Sequence, residues 1–490
     1  MTSYDTLRGQ HLADLASAAG ELLGRVDWSA GRLAEHRRTE LRRLVRTARA
    51  ASPWHRARLR DVDPDRLDVH SLAELPPMTK ADLMANFDEI VTDDRLRLDG
   101  VEAYLDSLDG TDAYLLDRYH ACASSGSSGR RGVFVYDWDG WLLAFVGLFR
   151  HLLRHQAGPG GGPTRMAVLG AARATHQSAT MPQTFSGTAV DMRRFPVTLP
   201  LAEIVAGLNE YRPTVLNGYP TALYPLTRAA ESGELRIAPS AVLSISEPLL
   251  PEIRAALTRA WNAPVLNVWG ASEGASAGSC GRGPGLHLSD DLAIVELVDR
   301  QGRPVPPNQL AAKVYVTVLF NHTMPLIRYE ITDELMALEG PCQCGSVFQL
   351  VDDPKGRLDD TFHYAGATEV LVHPHVFRSA LGKRGDVLEY QVRQTPAGAD
   401  VAVCCEGPVD LAALAGDLRA GLAGLGLPGA EVTVSPVARI ERHASGKLQR
   451  FLPLPLPEAG AGAGSAVRAA AAQRGSSSQC SSRGTESTAT

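Results

Sequence analysis

The first 60 residues carry leucines at helical spacing. Leu7, Leu12, Leu15 and Leu22 recur along this stretch, and an arginine-rich segment with further apolar positions follows. Apolar residues that return every three or four positions are typical of an amphipathic helix that buries one face. Residues 1–60 are therefore predicted to form a helical extension that packs on the body of the protein.

Short β-branched runs alternate with amphipathic segments between residues 130 and 320. This alternation favours parallel strands joined by crossover helices, because parallel neighbours need a long connection. Ligands in such sheets bind beyond the carboxyl ends of the strands, so the residues that follow the strands are candidate site residues. The predicted elements are strand 165–170 before a polar loop, strand 214–217 before helix 221–231, strand 241–246 before helix 251–261, and strand 264–268.

The pattern changes after residue 356. Strands are predicted at 387–392, 400–406 and 431–435, with a helix at 410–424, and together they make a compact α+β unit of about 100 residues. The fold class is therefore α/β, with a large N-terminal domain of mixed and parallel sheets and a small α+β C-terminal domain. The expected divisions are the extension 1–60, the large domain 61–356, the small domain 357–457 and a disordered Ala/Gly/Ser-rich tail 458–490.

Length and charge limit the possible classes of function. A chain of 490 residues is too long for one ordinary core, which agrees with at least two domains. The formal net charge is −6 and arginines are scattered among acids, so nucleic acid is not an expected partner. No apolar stretch has the length of a membrane span and the first residues lack the form of a secretory signal. We therefore expect a cytoplasmic protein without a membrane partner.

A hydroxyl- and glycine-rich run precedes a short apolar segment. Residues 124–132 read Ser-Ser-Gly-Ser-Ser-Gly-Arg-Arg-Gly and lead directly into Val133–Tyr136. Glycines let backbone N–H groups approach a ligand, while serines and arginines add donors and charge, so the run suits a polyphosphate. It lacks the Gly-Lys-Ser/Thr ending of a Walker loop and the glycine spacing of a dinucleotide fold. Taken alone, a flexible connection is the alternative interpretation.

Four later motifs accompany this run. They are Val-Trp-Gly-Ala-Ser-Glu at 268–273, Arg-Tyr-Glu-Ile-Thr-Asp at 328–333, Gly-Arg-Leu-Asp-Asp at 356–360 and Ser-Gly-Lys-Leu-Gln-Arg at 445–450. In this order the motifs resemble those of the adenylate-forming superfamily, and the chain looks most like its phenylacetate–CoA ligase branch. The resemblance covers approximately residues 45 to 455. The chain departs from the usual pattern at Arg130-Arg131, which replaces Lys-Pro, and at Trp269, where relatives commonly have tyrosine.

The resemblance implies that ATP activates a carboxylic acid as an acyl-adenylate. It implies that the glycine-rich run holds the β- and γ-phosphates, that Asp333 accepts hydrogen bonds from the ribose, and that Glu273 binds Mg²⁺. Lys447 is expected to bridge the substrate carboxylate and the α-phosphate. The catalytic residues would be Lys447, Glu273 and Arg357. The nucleotide-binding residues would be Ser124, Ser125, Gly126, Ser127, Ser128, Gly129, Arg130, Ser246, Glu247, Pro248, Trp269, Gly270, Asp333 and Arg357.

The resemblance also implies a domain movement and a pocket for the acid. Relatives rotate the small, mobile domain over the large one between two half-reactions, so Asp359 is the expected hinge and coenzyme A the expected acceptor. The acyl pocket would be lined by residues 218–220, by Trp269-Gly270 and by the region around His176, and aromatic walls would suit an aryl acid. For His176, an ordinary loop position is the alternative.

Seven cysteines are too few for a disulfide scaffold in a chain of this length. Cys280, His287, Cys342 and Cys344 offer three thiolates and one imidazole, a composition that favours a closed tetrahedral zinc site. The alternative is two unrelated cysteine groups. The remaining cysteines that we considered, Cys122, Cys404 and Cys405, are expected to be small apolar residues.

Three hypotheses about function follow. The leading one is an AMP-forming ligase that joins a small, aromatic or similar carboxylic acid to coenzyme A with ATP and Mg²⁺, acting as a monomer or homodimer. The second keeps the adenylation step but passes the acid to an amine or a carrier-protein thiol, or activates another oxyacid. The third, from another class, is a non-catalytic nucleotide-binding protein that retains the fold.

Overall fold

The computed structural model describes thirteen stretches of the chain and their helices and strands. The described residues are 4–108, 114–124, 131–156, 164–171, 175–187, 190–354, 356, 360–364, 370–372, 374–381, 386–405, 407–442 and 448–454. The helices are α1 (Tyr4–Gly24), α2 (Ala30–Ala51), α3 (Pro53–Arg58), α4 (Lys80–Ala85), α5 (Phe87–Ile90), α6 (Leu98–Ser107), α7 (Trp138–Gln156), α8 (Gln177–Phe185), α9 (Leu201–Tyr211), α10 (Pro220–Glu231), α11 (Pro251–Trp261), α12 (His375–Leu381) and α13 (Leu411–Ala423). The strands are β1 (His120–Ala123), β2 (Val133–Tyr136), β3 (Thr164–Gly170), β4 (Val190–Pro196), β5 (Val215–Gly218), β6 (Ala241–Ile245), β7 (Val265–Gly270), β8 (Ser276–Gly278), β9 (Leu286–Leu288), β10 (Ala293–Val298), β11 (Lys313–Val318), β12 (Tyr329–Ile331), β13 (Leu350–Val351), β14 (Phe362–Tyr364), β15 (Val370–Val372), β16 (Val387–Thr395), β17 (Gly398–Cys405), β18 (Glu431–Pro436) and β19 (Phe451–Leu452).

An eight-stranded sheet forms the centre of the larger part of the molecule. Its strand order is β13-β9-β8-β7-β6-β5-β3-β4. The strands from β4 to β7 run parallel and the remaining pairs are antiparallel, so the sheet is mixed. One face packs against the largest apolar cluster, which includes residues of α7, and the other face packs against a second cluster with residues of α9, α10 and α11. The predicted α/β class is confirmed.

Local sequence explains where the crossover helices begin and end. Helix α11 starts with Pro251 at its first turn, where a missing N–H costs nothing, and it ends at Asn262 in a left-handed conformation. Helix α10 also has a proline, Pro220, in its first turn. Because each of these helices begins within six residues of a strand end, the strand ends and the helix starts lie at one edge of the sheet.

The N-terminal residues form helices, as the leucine pattern predicted. Leu15 and Leu22 of α1 are buried in the same cluster as the residues of α7, and Leu41 and Leu44 of α2 are buried in another cluster. Arg8 of α1 donates hydrogen bonds to the carbonyl oxygens at the end of α8, namely those of Gln183, Thr184 and Ser186. The extension therefore contacts a helix that also borders the site.

Smaller sheets complete the fold. Strands β10, β11 and β12 form an antiparallel sheet, and β1 pairs with β2 on either side of the glycine-rich run. The C-terminal sheet has the order β18-β17-β16-β19 and packs with α13 around its own apolar cluster. Strands β16, β17 and β18 and helix α13 lie within three residues of the predicted bounds, whereas the two-residue strand β19 was not predicted. None of the described helices combines the length and the apolar character that crossing a membrane would demand.

Candidate active site

A cavity of about 60 Å³ lies at the carboxyl ends of the parallel strands, between the sheet and helices α7 and α8. The sequence prediction for the acyl pocket included His176, Tyr219 and Gly270, and all three line this cavity together with Ser246. Its apolar walls come largely from α7, α8 and the strands. The complete lining is Ala123, Leu148, Phe149, Val168, Leu169, His176, Gln177, Met181, Pro182, Asn217, Tyr219, Ile245, Ser246, Gly270 and Ser272.

The backbone around the cavity is shaped for close approach. Ser246 follows β6 with a φ of 70°, a left-handed conformation that costs a serine about 1–2 kcal/mol. A Cβ atom on Gly270 would lie 2.3 Å from a methyl carbon of Leu148, so any larger residue here would displace the Leu148 side chain from the wall of the cavity. Strained or glycine-dependent positions of this kind often surround functional sites. Both residues belong to the expected nucleotide-binding set.

The ends of the glycine-rich run are joined at the edge of the cavity. The backbone N–H of Ser124 donates to the carbonyl oxygen of Gly132 at 2.8 Å, and the N–H of Gly132 donates to Ser124 Oγ at 2.9 Å. The preceding residue, Ala123, lines the cavity, and its carbonyl oxygen is 3.2 Å from His176 Nδ1. Antiparallel pairing of β1 and β2 therefore brings both ends of the run to the site.

Glu273 lies in the loop after β7 and only 9 % of its surface is exposed. Burial first, and then the charge of Glu273, raise the pKa of Tyr329 well above its usual range. The same two causes, in the same order, raise the pKa of the Cys122 thiol, so Cys122 is a buried neutral residue as predicted. The loop after β7 and the segment 328–333 are thus close in space. Tyr329 Oη and Trp269 Nε1 are buried without a hydrogen-bond partner within the described part of the chain.

Asp333 is half-buried just after β12. The next residue, Glu334, donates its backbone N–H to the carbonyl oxygen of Gly356 at 3.0 Å. Gly356 begins the Gly-Arg-Leu-Asp-Asp motif, so two of the five motifs meet here.

A polar junction joins the large and small parts of the molecule, and we call it the Glu247 junction. It consists of Thr221, Glu247, Arg442 and Leu448. Glu247 Oε1 accepts a hydrogen bond from the backbone N–H of Leu448 at 3.0 Å, and Glu247 Oε2 accepts one from Thr221 Oγ1 at 2.8 Å. Arg442 donates to Thr221 Oγ1 at 3.0 Å and forms an ion pair with Glu389 of β16. The residue that directly follows Lys447 in the sequence is therefore bound to the residue that directly follows Ser246.

The predicted metal ligands come together in a single cluster. The potential ligand atoms of Cys280, His287, Cys342 and Cys344 all lie within 4.8 Å of one another. Cys280 Sγ is 3.5 Å from Cys342 Sγ, and Cys344 Sγ is 3.3 Å from His287 Nε2. Ligands around a tetrahedral zinc ion are about 3.5–3.8 Å apart, so the spacing fits. His287 Nδ1 lies 3.2 Å from the carbonyl oxygen of Phe348, an outer contact typical of a metal-binding histidine.

Several predicted residues lie outside the described residues. They are Ser125, Gly126, Ser127, Ser128, Gly129, Arg130, Arg357, Asp359, Lys447 and the tail 458–490. Sequence reasoning missed other residues that line the cavity, namely Leu148, Phe149, Met181, Pro182 and Asn217. The apolar ones look like ordinary core residues in the sequence. Asn217 alone carried a signal, because it is a polar residue inside a predicted buried strand.

The fold defined by these sheets is that of the adenylate-forming CoA ligases. The chain superposes on 2-hydroxyisobutyryl-CoA ligase in the postadenylation state in complex with 2-HIB-AMP with a TM-score of 0.66, at 17 % identity and over 92 % of this chain and 94 % of that one. The same enzyme in its thioesterification state, in complex with 2-HIB-AMP and CoA, gives a TM-score of 0.54 over the same shares. At this level of identity the neighbours show the fold, and that fold is the one that the motif resemblance implied.

Two curated relatives share part of the sequence. Protein CapK of Staphylococcus aureus is 23 % identical over 281 residues, which are 55 % of this chain and 55 % of that protein. Phenylacetate-coenzyme A ligase of Thermus thermophilus is 29 % identical over 178 residues, which are 34 % of this chain and 38 % of that ligase. The chain thus matches about half of the length of CapK and about two fifths of the length of the ligase. No protein-family model matches the chain.

Proposed function

We propose that this protein is an AMP-forming ligase that activates a small carboxylic acid with ATP and transfers the acyl group to coenzyme A. The observation that carries the proposal is the convergence at one cavity of segments distant in the sequence. Ser246, Gly270 and the residue before the glycine-rich run line this cavity. Leu448, next to the proposed catalytic Lys447, binds Glu247 beside it. A non-catalytic protein that retains the fold would be expected to lose catalytic groups, whereas this sequence keeps Glu273, Asp333, Arg357 and Lys447.

The first step joins the acid to AMP. A carboxylate oxygen of the acid attacks the α-phosphorus of ATP, the bond from that phosphorus to the bridging oxygen breaks, and pyrophosphate leaves with the electron pair. Such a reaction depends mainly on positioning and on charge stabilisation. In the proposal, Ser124–Arg130 hold the β- and γ-phosphates, and Lys447 bridges the carboxylate and the α-phosphate.

The remaining roles concern the nucleoside. Asp333 accepts hydrogen bonds from the ribose hydroxyls, for which an ionised carboxylate is suited. Arg357 contacts phosphate or ribose, and the adenine lies along Ser246-Glu247-Pro248 and Trp269-Gly270. Two buried donors, Trp269 Nε1 and Tyr329 Oη, have no hydrogen-bond partner among the described residues. They are available to a nucleotide bound near them.

Two metal ions fit the residues present. A Mg²⁺ ion bound by Glu273 and phosphate oxygens would neutralise charge on the triphosphate, and the nearly buried carboxylate of Glu273 suits that task. A zinc ion held by Cys280, His287, Cys342 and Cys344 would have all four positions filled by protein. It therefore has a structural role in the proposal, linking the loop after Glu273 to the region after Asp333.

The second step forms the thioester. The small domain turns about Asp359, the coenzyme A sulfur attacks the acyl carbon, and AMP leaves with its oxygen. The better superposition on a postadenylation state than on a thioesterification state supports the interpretation that the Glu247 junction belongs to the adenylation arrangement. An amine or carrier-protein thiol as acceptor, or another oxyacid as substrate, is the second candidate, because the adenylation chemistry of the first step would be the same for each of them.

The decisive experiment is acid-dependent exchange of labelled pyrophosphate into ATP, measured over a panel of acids. We expect exchange with at least one small acid and its loss in Lys447→Ala. The variant should still form thioester from a supplied acyl-adenylate, because Lys447 acts only in the first step. Equal damage to both steps would contradict the assigned role. Exchange with no acid, together with normal ATP binding by Lys447→Ala, would favour the non-catalytic hypothesis.

A further inference from the structure

One amide side chain interrupts an otherwise apolar surface of the sheet. Asn217 of β5 faces the layer formed by α7 and α8, and its in-register neighbours are Val168 of β3 and Leu243 of β6. The other inward-facing residues of these strands are buried in the largest apolar cluster. They are Met166, Val168, Val215, Ala241, Leu243, Ile245, Leu266 and Val268. A valine or leucine at position 217 would continue this surface.

The amide of Asn217 is poorly satisfied by the protein. The residue is 2 % exposed, and Oδ1 has no hydrogen-bond partner in the part of the chain that the structure describes. Its Nδ2 lies 3.7 Å from Met166 Sδ, and a thioether sulfur is only a weak acceptor. Buried polar atoms are normally paired, and an unpaired one is unfavourable for folding. Packing alone therefore does not account for asparagine at this position.

The position of Asn217 points to a ligand. It lines the cavity, and it lies one residue before Gly218, at which β5 ends. Ser246, Gly270 and Ser272 lie at or beyond the ends of their strands and form the rim. Asn217 is therefore deeper in the sheet than the rim, among the apolar walls from Leu148 and Phe149. An acid whose carboxylate points to the rim would direct its other end towards Asn217.

We infer that Asn217 accepts a hydrogen bond from the acyl substrate and determines which acids are used. The substrate class is a small carboxylic acid whose body carries a hydroxyl or an uncharged amino group away from the carboxylate. A charged ammonium is disfavoured because the surrounding residues are apolar and Asn217 has no charge to offset it. This inference rests on the proposed function and adds the chemical class of its substrate.

Discrimination of this kind has a physical basis. A site built around a buried acceptor rejects an analogue that lacks the donor, because the acceptor then stays unpaired in the complex. We expect the catalytic efficiency of adenylation to differ about 10- to 100-fold between a donor-bearing acid and an analogue of the same size without a donor. Size alone would not separate such a pair.

The test is pyrophosphate exchange with matched acids. The probes are 3- and 4-hydroxybenzoate and 4-aminobenzoate against 3- and 4-methylbenzoate, and 3-hydroxypropanoate against butanoate. The wild-type protein should prefer the donor-bearing member of the pair by about 10-fold or more. Asn217→Leu, which is similar in size, should abolish the preference while exchange with the methyl analogue is kept. Gln177→Leu, which removes another amide from the same cavity, should retain the preference.

The outcomes separate the inference from the proposed function. Equal use of both members of every pair by the wild-type protein would overturn the inference and leave adenylation intact, as would a preference that survives in Asn217→Leu. If Asn217→Leu does not fold, equal use of both members of every pair by the wild-type protein still overturns the inference. Exchange with no acid at all would overturn the proposed function, and the inference with it.

Discussion

The Cys/His cluster and the Glu247 junction both join segments that are far apart in the sequence, and they do so with very different strength. The cluster brings residues 62 positions apart into contact through side chains that suit a metal ion. The junction joins residues 201 positions apart through a few partly buried hydrogen bonds. Metal–ligand bonds make a permanent link, whereas such hydrogen bonds exchange readily with water. Under the proposed function, the cluster would be the fixed contact and the junction the contact that opens between the two half-reactions.

Loss of one cluster ligand should give the largest effect. Cys342→Ser is expected to lose bound zinc and to lower the free energy of unfolding by about 4 kcal/mol or more, because loss of a structural metal is among the most destabilising changes. Metal content by mass spectrometry and thermal unfolding would measure this. Cys404→Ser, a thiol on β17 outside the cluster, is the control and should change neither quantity. A Cys342→Ser protein that keeps one zinc per chain would argue against the assignment.

The second largest effect is expected from acid, which should lower the free energy of unfolding of the large domain. His120 is fully buried, and burial lowers its pKa to about 3 from 6.5. His120 binds a proton below about pH 6.5 in the unfolded chain but only below about pH 3 in the folded chain. The free energy of unfolding therefore falls as the pH drops from 6.5 to 3. At pH 5 His120 alone should account for about 2 kcal/mol of the loss. His55 and His151, whose pKa values burial likewise lowers to about 3, add to it. Denaturant unfolding at pH 7.5 and pH 5 would measure this loss of stability. His120→Phe should show a smaller difference in unfolding free energy between the two pH values. An equal difference in the variant would show that His120 is protonated in the folded protein.

A substitution in the Glu247 junction should change the rate of adenylation and leave the free energy of unfolding largely unchanged. Glu247→Gln replaces a charged acceptor by a neutral one, and we expect about a 10-fold lower efficiency of adenylation. Thioester formation from supplied acyl-adenylate should be unchanged, because the junction is then open. Glu252→Gln, an exposed glutamate in the first turn of α11, is the matched control. Equal loss in both half-reactions would show that Glu247 does not act through domain position.

The smallest effect is expected at Arg442. Arg442→Gln removes the ion pair with Glu389 and weakens the bond to Thr221, which should lower adenylation about 3-fold. Because part of this interaction is electrostatic, the ratio of wild-type to variant rates should shrink as salt is raised. Initial rates of exchange in low and high salt would measure it. A ratio that does not depend on salt would limit the role of Arg442 to its hydrogen bond with Thr221.

The sequence was a good guide to the parallel strands and the crossover helices. The predicted helix 251–261 coincides with α11, because Pro251 and the apolar period define it locally. Strands such as β8, β9 and β12 have only three residues each, too few for an alternating pattern to stand out. Their pairing depends on partners elsewhere in the chain, which no local pattern contains.

The residues of the candidate site also fall into those that the sequence could predict and those that it could not. Ser246, which follows β6, and Gly270, the last residue of β7, could be predicted to border the cavity because strand ends meet at one edge of a parallel sheet. Leu148 and Phe149 could not, since an apolar side chain beside a cavity has the same periodicity as one in the core. The Glu247 junction was also out of reach, because its hydrogen bonds depend on how the small part of the molecule rests against the large one.

The contact of Arg8 with the last turn of α8 connects helix α1 to the wall of the cavity. Arg8 anchors carbonyl groups that immediately follow Met181 and Pro182, two wall residues of the cavity. Removing helix α1 would free that wall and would also expose the apolar surface that Leu15 and Leu22 cover, while the motif residues, which all lie later in the sequence, would be unchanged. Such a trimmed protein is expected to become less selective among acids, so a screen for altered selectivity need not start at the cavity itself.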